Sequence, residues 1–368
     1  MKSADFLVVL IALALPWSTS AVGILGVLWL VAVTPTLEFG TLLQSLKRPI
    51  SALPIALFVL ALVGMLWSEG SWGERLHALS PAAKLLFLPL LLYHFERSTR
   101  GMWVFVAFLA SCVVLMVVSW LVLFYPGLSL KPAAGAERGI FVKNYIDQSQ
   151  EFTLCAVALA YPVGSLLRAK RYALAALLMA VALSFFVNLA FVVVSRTALV
   201  TMPIMLAVFA ALHLRLRASM MILAAVVVLA GLSWVASPAL RNTIDSFARD
   251  YREYKETNRA TSIGLRLEYW RKSVGFIMER PFVGHGTGST RLLFERAATG
   301  PEVLASGRVI DNPHNQTLNV AVQWGVIGIA LLWAMWLWHL RLFRGDGLVA
   351  WIGLLVVVQN IFTSLFNS

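Results

Sequence analysis

The sequence predicts an all-α protein that crosses a membrane many times, and three observations support this fold class. Of the 368 residues, 60% are hydrophobic and only 13% are charged, whereas about a quarter of the residues in soluble domains are charged. The apolar residues form runs of about 15–25, the length that a helix needs to cross a bilayer. Basic residues are concentrated in alternate connections between these runs, as in other multi-pass membrane proteins.

Eleven membrane spans follow from the hydropathy pattern. The predicted spans are 5–19, 21–37, 50–68, 79–95, 101–125, 149–167, 172–194, 197–213, 218–236, 315–339 and 348–366. The first could be a signal peptide, but the many spans behind it favour a helix that is retained. The chain then divides into nine helices over 1–236, an extramembrane helical segment over 237–314, and two helices over 315–368.

The distribution of charge predicts the orientation. With a cytoplasmic N-terminus, the inner connections carry twelve Lys and Arg residues and the short outer loops six, and the other twelve lie in 237–314, which is then outside. The positive-inside rule accounts for part of the net charge of +12, so this charge indicates no nucleic-acid partner.

The sequence predicts chemistry on the outer face, without ATP, a cofactor or a metal ion. The inner connections are short, and they contain neither a Gly-Lys-Ser/Thr phosphate loop nor an Asp-x-Asp pair. Cys112 and Cys155 both fall within apolar runs, which favours two small buried side chains over a disulfide or a metal pair.

The long outer segment is predicted to contain helices. Residues 241–260 are rich in charged helix formers, and the next predicted helix covers 262–281. Its apolar face is formed by Leu267, Trp270, Val274 and Ile277, which recur at helical spacing. That face could lie on the membrane surface or pack over the bundle.

A glycine-rich stretch, PFVGHGTGS, follows at 281–289. We expect a turn between two helices, with His285 at the protein surface. The alternative is a phosphate contact through backbone N–H groups, for which Gly286 is the candidate residue.

Arg196 is the only charged residue between Arg171 and Arg215. Because two spans must fit in that interval, residues 195–197 are predicted to form the tip of a tight outer hairpin. An arginine at this position either reaches lipid headgroups or binds an anion such as phosphate through its bidentate guanidinium.

The outer loop at 131–152 adds two more cations, Arg138 and Lys143. They are either interfacial anchors or further anion ligands. Three outer segments that each place a cation near the bilayer favour a lipid-linked anion, such as a pyrophosphate, as the ligand.

His314 stands at the outer start of the tenth predicted span, in the stretch DNPHNQ at 311–316. Asn312 has the side chain of a helix cap and Pro313 suits a first helical turn, which places His314 within that turn. The positive helix end and nearby arginines favour a neutral imidazole. A neutral histidine is either a proton-accepting general base or only a hydrogen-bonding residue at the interface.

Four short stretches resemble, in order, the landmarks of the O-antigen ligase/polymerase superfamily. They are SRT at 195–197, SIGLRLEYW at 262–270, GHGTGS at 284–289 and HNQTLNVAVQWGVIG at 314–328. The resemblance implies a GT-C-like glycosyltransferase in the bacterial inner membrane, with about twelve helices and one large periplasmic loop. A twelfth helix is then expected beyond Ser368.

The resemblance also implies roles for individual residues. Arg196, Arg266 and His314 match its hairpin arginine, its loop arginine and the histidine before its tenth helix, so they are expected to be catalytic. The residues expected to bind substrate are Arg138, Lys143, Asn315 and Gly286.

A ligase of this kind transfers O-antigen polysaccharide from undecaprenyl pyrophosphate to the lipid A core at the periplasmic face. The histidine would deprotonate the acceptor hydroxyl, the arginines would hold the pyrophosphate, and direct attack would invert the anomeric carbon. The alternatives are an O-antigen polymerase, a protein O-oligosaccharyltransferase and, least favoured, a transporter of lipid-linked glycans. A transporter would call for ionisable residues near the membrane midplane or inverted repeats, whereas the charges here lie at the membrane faces.

Overall fold

The computed structural model describes residues 2–130 and 139–366. Within these ranges the chain forms seventeen α-helices, and its extended pairing is limited to an isolated bridge between Arg259 and Leu304. The predicted all-α fold is therefore confirmed.

The helices are numbered α1 to α17 in chain order. They are α1 (Lys2–Ala14), α2 (Thr19–Val33), α3 (Phe39–Leu46), α4 (Pro49–Val63), α5 (Trp72–Ala83), α6 (Phe87–Phe95), α7 (Gly101–Phe124), α8 (Tyr145–Ala158), α9 (Ala160–Arg168), α10 (Tyr172–Phe191), α11 (Arg196–His213), α12 (Leu216–Ala236), α13 (Pro238–Thr257), α14 (Ser262–Glu279), α15 (Thr290–Arg296), α16 (Gln316–Leu342) and α17 (Leu348–Ser364).

Each of the eleven predicted spans coincides with a helical segment. Nine segments in the described part of the chain are long and apolar enough to cross a membrane, among them the combined segments Trp72–Phe95, built from α5 and α6, and Tyr145–Arg168, built from α8 and α9. The other two predicted spans correspond to α1 and α17, which are shorter than these nine.

Side-chain caps explain where several helices begin. The Ser71 side chain accepts a hydrogen bond from the Glu74 backbone, and the Glu74 carboxylate accepts one from the Ser71 backbone, so α5 starts with a complete capping box. The caps of α8, α14 and α16 are Asn144, Thr261 and Asn315, and each accepts from a backbone N–H in the first turn.

The described chain forms two compact units. The first contains 2–37, 98–130, 139–245 and 345–359, and the second contains 38–97, 246–344 and 360–366. The extramembrane segment 237–314 contributes to both. The predicted three-part division concerns the position of the membrane, which these units do not report, and it stays a prediction.

The core of the first unit is built from α7, α8, α10 and α11. Phe152 on α8 packs against Phe185 on α10 with their ring centroids 5.2 Å apart. Cys112 and Cys155 lie in the same cluster, where both are fully buried and free. The expectation that they are small buried side chains is confirmed.

In the second unit, α16 packs against α4 and α14. The backbone of α16 is not helical at Gly325, where φ is 60°. The backbone of the 281–288 loop docks there: Val326 N–H donates to the Pro281 carbonyl at 2.8 Å, and His285 N–H donates to the Val322 carbonyl at 2.9 Å. The loop thus supplies hydrogen-bond partners to the backbone groups that the interruption of α16 leaves free.

The most buried residues of α14 do not lie on its predicted apolar face. Its buried residues include Glu268 and Lys272, whereas Val274 is 47% exposed. Glu268 can be buried because it forms a double hydrogen bond with Arg271 and accepts another from the Tyr254 hydroxyl. The charges on this face are therefore satisfied internally. On the predicted apolar face, Trp270 and Ile277 pack partly against the core of the second unit, and its placement on the membrane surface or over the bundle stays a prediction.

Candidate functional site

His314 lies just before α16 rather than in its first turn. The cap of the helix is Asn315, and its first residue is Gln316. The predicted cap, Asn312, instead accepts a hydrogen bond from the His314 backbone N–H at 2.9 Å. The helix begins later than predicted because this short local bond holds His314 outside it, at the left-handed φ of 54°.

The His314 ring is enclosed on one side by Tyr269 of α14, with the ring centroids 6.2 Å apart. Its Nδ1 atom is buried and has no hydrogen-bond partner within the described residues. Burial lowers the pKa of His314 below its usual range, and the positive charge of Arg266 lowers it further, while Asp311 opposes this effect. The imidazole is therefore held neutral, as a proton acceptor requires.

Arg266 shares the electrostatic environment of His314, and both residues belong to the second unit. Its Nε donates to the Phe366 carbonyl at 3.1 Å, and one terminal nitrogen donates to the Ser262 hydroxyl at 3.0 Å. These bonds orient the guanidinium. The structure thus places together the arginine and the histidine that the sequence put 48 positions apart.

Asn315 holds the start of α16 in place. Its side-chain oxygen accepts from the Leu318 N–H, and its side-chain nitrogen donates to the Leu365 carbonyl, both at 3.1 Å. Residues 365 and 366 therefore anchor both sides of the site, one through Asn315 and the other through Arg266. A direct substrate contact by Asn315 stays a prediction.

Sequence reasoning missed Tyr269, Ser262 and the carbonyls after α17. Tyr269 could have been found, because it follows Arg266 by three positions and therefore shares its helix face. The carbonyls left no signal, since a backbone group is present at every position and only the fold decides which one is used.

The glycine-rich loop has a structural role in the second unit. Gly284, Gly286 and Gly288 have positive φ values of 64°, 89° and 79°. The Gly286 N–H donates to the Gln323 carbonyl at 2.8 Å, and the Gly288 N–H donates to the Gln323 side chain at 2.9 Å. These N–H groups bind α16, so the expected turn is confirmed, and a substrate contact at Gly286 stays a prediction.

His285 in the same loop is buried, not on the surface as expected. Its Nε2 atom lies 2.8 Å from the Phe276 carbonyl, and the ring is enclosed because the loop docks onto α16. The sequence could not reveal this burial, since it depends on a contact with a helix that begins about thirty residues later.

Arg196 is in the first unit and is the first residue of α11. Only residues 192–195 separate α10 from α11, which confirms the predicted tight hairpin. Arg196 is partly buried. A cation is unfavourable at the positive end of a helix when no anion is bound. The Arg196 guanidinium and the N-terminus of α11 therefore both favour a bound anion.

Lys143 is also in the first unit, where it pairs with Glu151 at 3.2 Å and donates to the Leu15 carbonyl. The two charged side chains are only 15% and 10% exposed, so each balances the other inside the fold. A substrate contact by Lys143 stays a prediction. Arg138, the other predicted ligand from this loop, lies outside the described residues.

One known family matches part of the chain. Residues 181–333 match the family model described as O-Antigen ligase. This match supports an O-antigen ligase family assignment. No curated protein matches the chain.

The part that matches the O-antigen ligase family contains the landmarks of both units. Arg196, Arg266, Gly286, His314 and Asn315 all lie within 181–333, whereas Lys143 precedes this stretch. The family is multi-pass and GT-C-like, and nine segments of the described chain are helices long and apolar enough to cross a membrane.

The O-antigen ligase family supports a ligase- or polymerase-type function and a glycosyltransferase-like enzyme. It implies polysaccharide and lipid substrates and a place in lipopolysaccharide biosynthesis. The apolar helices support a multi-pass membrane location.

Proposed function

We propose that this protein transfers O-antigen polysaccharide from undecaprenyl pyrophosphate to the lipid A core, on the periplasmic face of the bacterial inner membrane. The observation that carries the proposal is the arrangement of His314 beside Arg266. A histidine kept neutral by burial and by a neighbouring guanidinium can accept a proton, and the same guanidinium suits a phosphate.

The reaction needs an acceptor nucleophile and a stabilised leaving group. His314 takes the proton from an acceptor hydroxyl as its oxygen attacks the anomeric carbon of the donor sugar. The bond from that carbon to the pyrophosphate oxygen breaks, and the configuration at the carbon inverts. The pyrophosphate leaves with an added negative charge, which Arg266 and Arg196 stabilise.

Arginine suits this role because its guanidinium presents two parallel N–H donors to one phosphate group. Positioned donors that meet charge as it develops each contribute on the order of 3–4 kcal/mol to lowering a barrier. The pyrophosphate ester is already activated, so the proposed transfer proceeds without ATP or a metal ion.

The proposal is tested with purified protein, lipid-linked O-antigen and lipid A core, in buffer that contains EDTA and no nucleotide. We expect polysaccharide to appear on lipid A core. No product under these conditions, with product restored by ATP or Mg²⁺, would overturn the proposed independence of both.

The acceptor is tested in the same assay, by replacing lipid A core with a second lipid-linked O-antigen chain or with a peptide that contains serine and threonine. We expect transfer to lipid A core alone. A longer lipid-linked chain would identify a polymerase, and a glycosylated peptide would identify a protein O-oligosaccharyltransferase.

The role of Arg196 is tested by Arg196→Lys, which keeps the charge and removes the bidentate geometry. We expect a fall in kcat of roughly tenfold or more, with the protein still folded. Full activity of Arg196→Lys would contradict a bidentate contact with the leaving group.

A further inference from the structure

The second unit contains a cavity of about 860 Å³, which lies within the size range of small-molecule sites. It is lined by α4, α5, α16 and the end of α17. We call the part of the cavity lined by Glu74, His77, Arg291 and Asp311 its rim. Leu332 and Met335 line the cavity on α16, four to five helical turns beyond Gln316, the first residue of that helix. One end of the cavity is therefore polar and the other is apolar.

A row of amides lines the polar part. Gln316, Asn319 and Gln323 are spaced three and four positions apart on α16, which places them on one face, and Asn360 faces the same cavity from α17. Gln323 is engaged in the fold: its oxygen accepts from the Gly288 N–H, and its nitrogen donates to the Asn319 side-chain oxygen at 3.0 Å.

The other amides have hydrogen-bonding capacity to spare. In the described part of the chain, the side chains of Gln316 and Asn360 make no hydrogen bond, and the Asn319 side-chain nitrogen donates none. Asn360 lies within an apolar helix, and its side chain is exposed where α17 lines the cavity, so its amide is available to a ligand. A ligand in the cavity would satisfy these groups.

Each carboxylate at the rim lies near a nitrogen-containing side chain. The Arg291 guanidinium is 3.8 Å from the Glu74 carboxylate, and His77 is 3.7 Å from Asp311. The polar groups that line the cavity below the rim include the neutral amides, which both donate and accept. This chemistry matches the hydroxyl groups of a sugar, whereas a phosphate favours a guanidinium such as Arg266.

We propose that this cavity binds the sugar of a lipid-anchored glycan, with Gln316, Asn319 and Asn360 as its hydrogen-bonding residues. The apolar end suits the lipid anchor. The inference rests on the proposed function in taking a glycan as the substrate. It places sugar recognition two residues from His314 along the chain, because Gln316 is the first residue of α16.

The test is direct binding to the full chain in nanodiscs, with no turnover required. Four probes are used: the lipid-linked O-antigen, lipid A core, undecaprenyl pyrophosphate without sugar, and lipid A without core sugars. The variants are Gln316→Leu and Asn360→Leu, and the matched control is Gln44→Leu, which removes an exposed amide from α3 in the same unit.

We expect each cavity variant to weaken binding of one glycan-bearing probe by roughly threefold to tenfold, as the loss of a hydrogen bond does. The corresponding sugar-free probe and Gln44→Leu should bind as before. The probe affected decides whether the cavity takes the donor or the acceptor. Unchanged binding of both glycans, or equal loss with the sugar-free lipid, would overturn the proposal.

Gln316→Glu is a second variant that keeps the side-chain size and replaces the amide donors, and we expect the same selective loss from it. The two proposals fail separately. Full turnover by His314→Ala, with selective loss in the cavity variants, would contradict the proposed chemistry alone. Normal glycan binding by the cavity variants, with an inactive His314→Ala, would contradict the cavity assignment alone.

Discussion

His314 has a backbone conformation that residues other than glycine seldom adopt, with φ at 54°. Such a conformation costs on the order of 1–3 kcal/mol and is concentrated at functional sites. Here it is held by the Asn312 side chain on one side and by the Asn315 cap on the other. These two asparagines offset the strain, and the conformation they hold places the imidazole outside the helix, against Tyr269.

The charges around His314 predict the pH dependence of transfer. Burial and Arg266 lower its pKa and Asp311 raises it, so the acid limb of the kcat profile should lie below the ordinary histidine value of about 6.5. Asp311→Asn removes the charge that favours the imidazolium, and it should shift the limb to lower pH. Arg266→Gln should shift the limb of its residual activity to higher pH. The measurement is kcat against pH.

The control for this profile is Glu302→Gln, which removes an exposed carboxylate from the same extramembrane segment. It should leave the acid limb in place. If Asp311→Asn and Arg266→Gln moved the limb in the same direction, His314 would not be the group that titrates.

Lys143 and Glu151 form an ion pair that is largely buried. Removal of one partner leaves the other charge unpaired, which costs about 3–5 kcal/mol, whereas removal of both costs much less. Lys143→Met should therefore lower the melting temperature in detergent more than the double variant Lys143→Met/Glu151→Leu does. If the double variant melted at a lower temperature than the single variant, the ion pair with Glu151 would not account for the contribution of Lys143 to stability.

At the scale of elements, the loop at 281–288 and the interrupted helix α16 depend on each other. Gly325 opens the α16 backbone, and the loop supplies hydrogen bonds to it. The sequence predicted the turn because three glycines alternate with other residues. The sequence did not predict that the loop docks onto α16. Without that contact, His285 would be expected to face solvent.

Gly286→Ala should destabilise the protein. Its φ is +89°, and an added Cβ would lie 2.6 Å from the Ser68 backbone, so the chain would incur both a left-handed strain of roughly 1–2 kcal/mol and a steric displacement. Gly275→Ala is the matched control: Gly275 is inside α14 with open space around it, and alanine there should stabilise the helix by about 0.5–1 kcal/mol.

Thermal unfolding in detergent checks this pair of variants. We expect Gly286→Ala to melt below the wild type and Gly275→Ala at or above it. Equal melting temperatures for the two would contradict the close packing of the loop against the Ser68 backbone.

At the scale of the whole molecule, the membrane fold is the most predictable property. Eleven apolar runs were long enough to identify, and each coincides with a helical segment. Burial within the extramembrane segment was less predictable, because Glu268 and Lys272 are buried through partners that the sequence does not reveal. The cap of α16 was predicted three residues early because Asn312 and Asn315 are equally suitable caps.

Arg266 and His314 were matched to the family landmarks from sequence, but their proximity was not predictable. It depends on Tyr269 and on the carbonyls at 365 and 366, which tie α14 and α16 to the end of α17. The family match over 181–333 covers both residues and Arg196.

The central claim is that His314 is the general base of polysaccharide transfer, and the most direct test is the single-turnover rate of His314→Ala. Purified protein is loaded with lipid-linked O-antigen and mixed with lipid A core. We predict a rate roughly 10²–10⁴-fold below the wild type, with donor binding and melting temperature unchanged. A near-normal rate from a folded His314→Ala protein would contradict the claim.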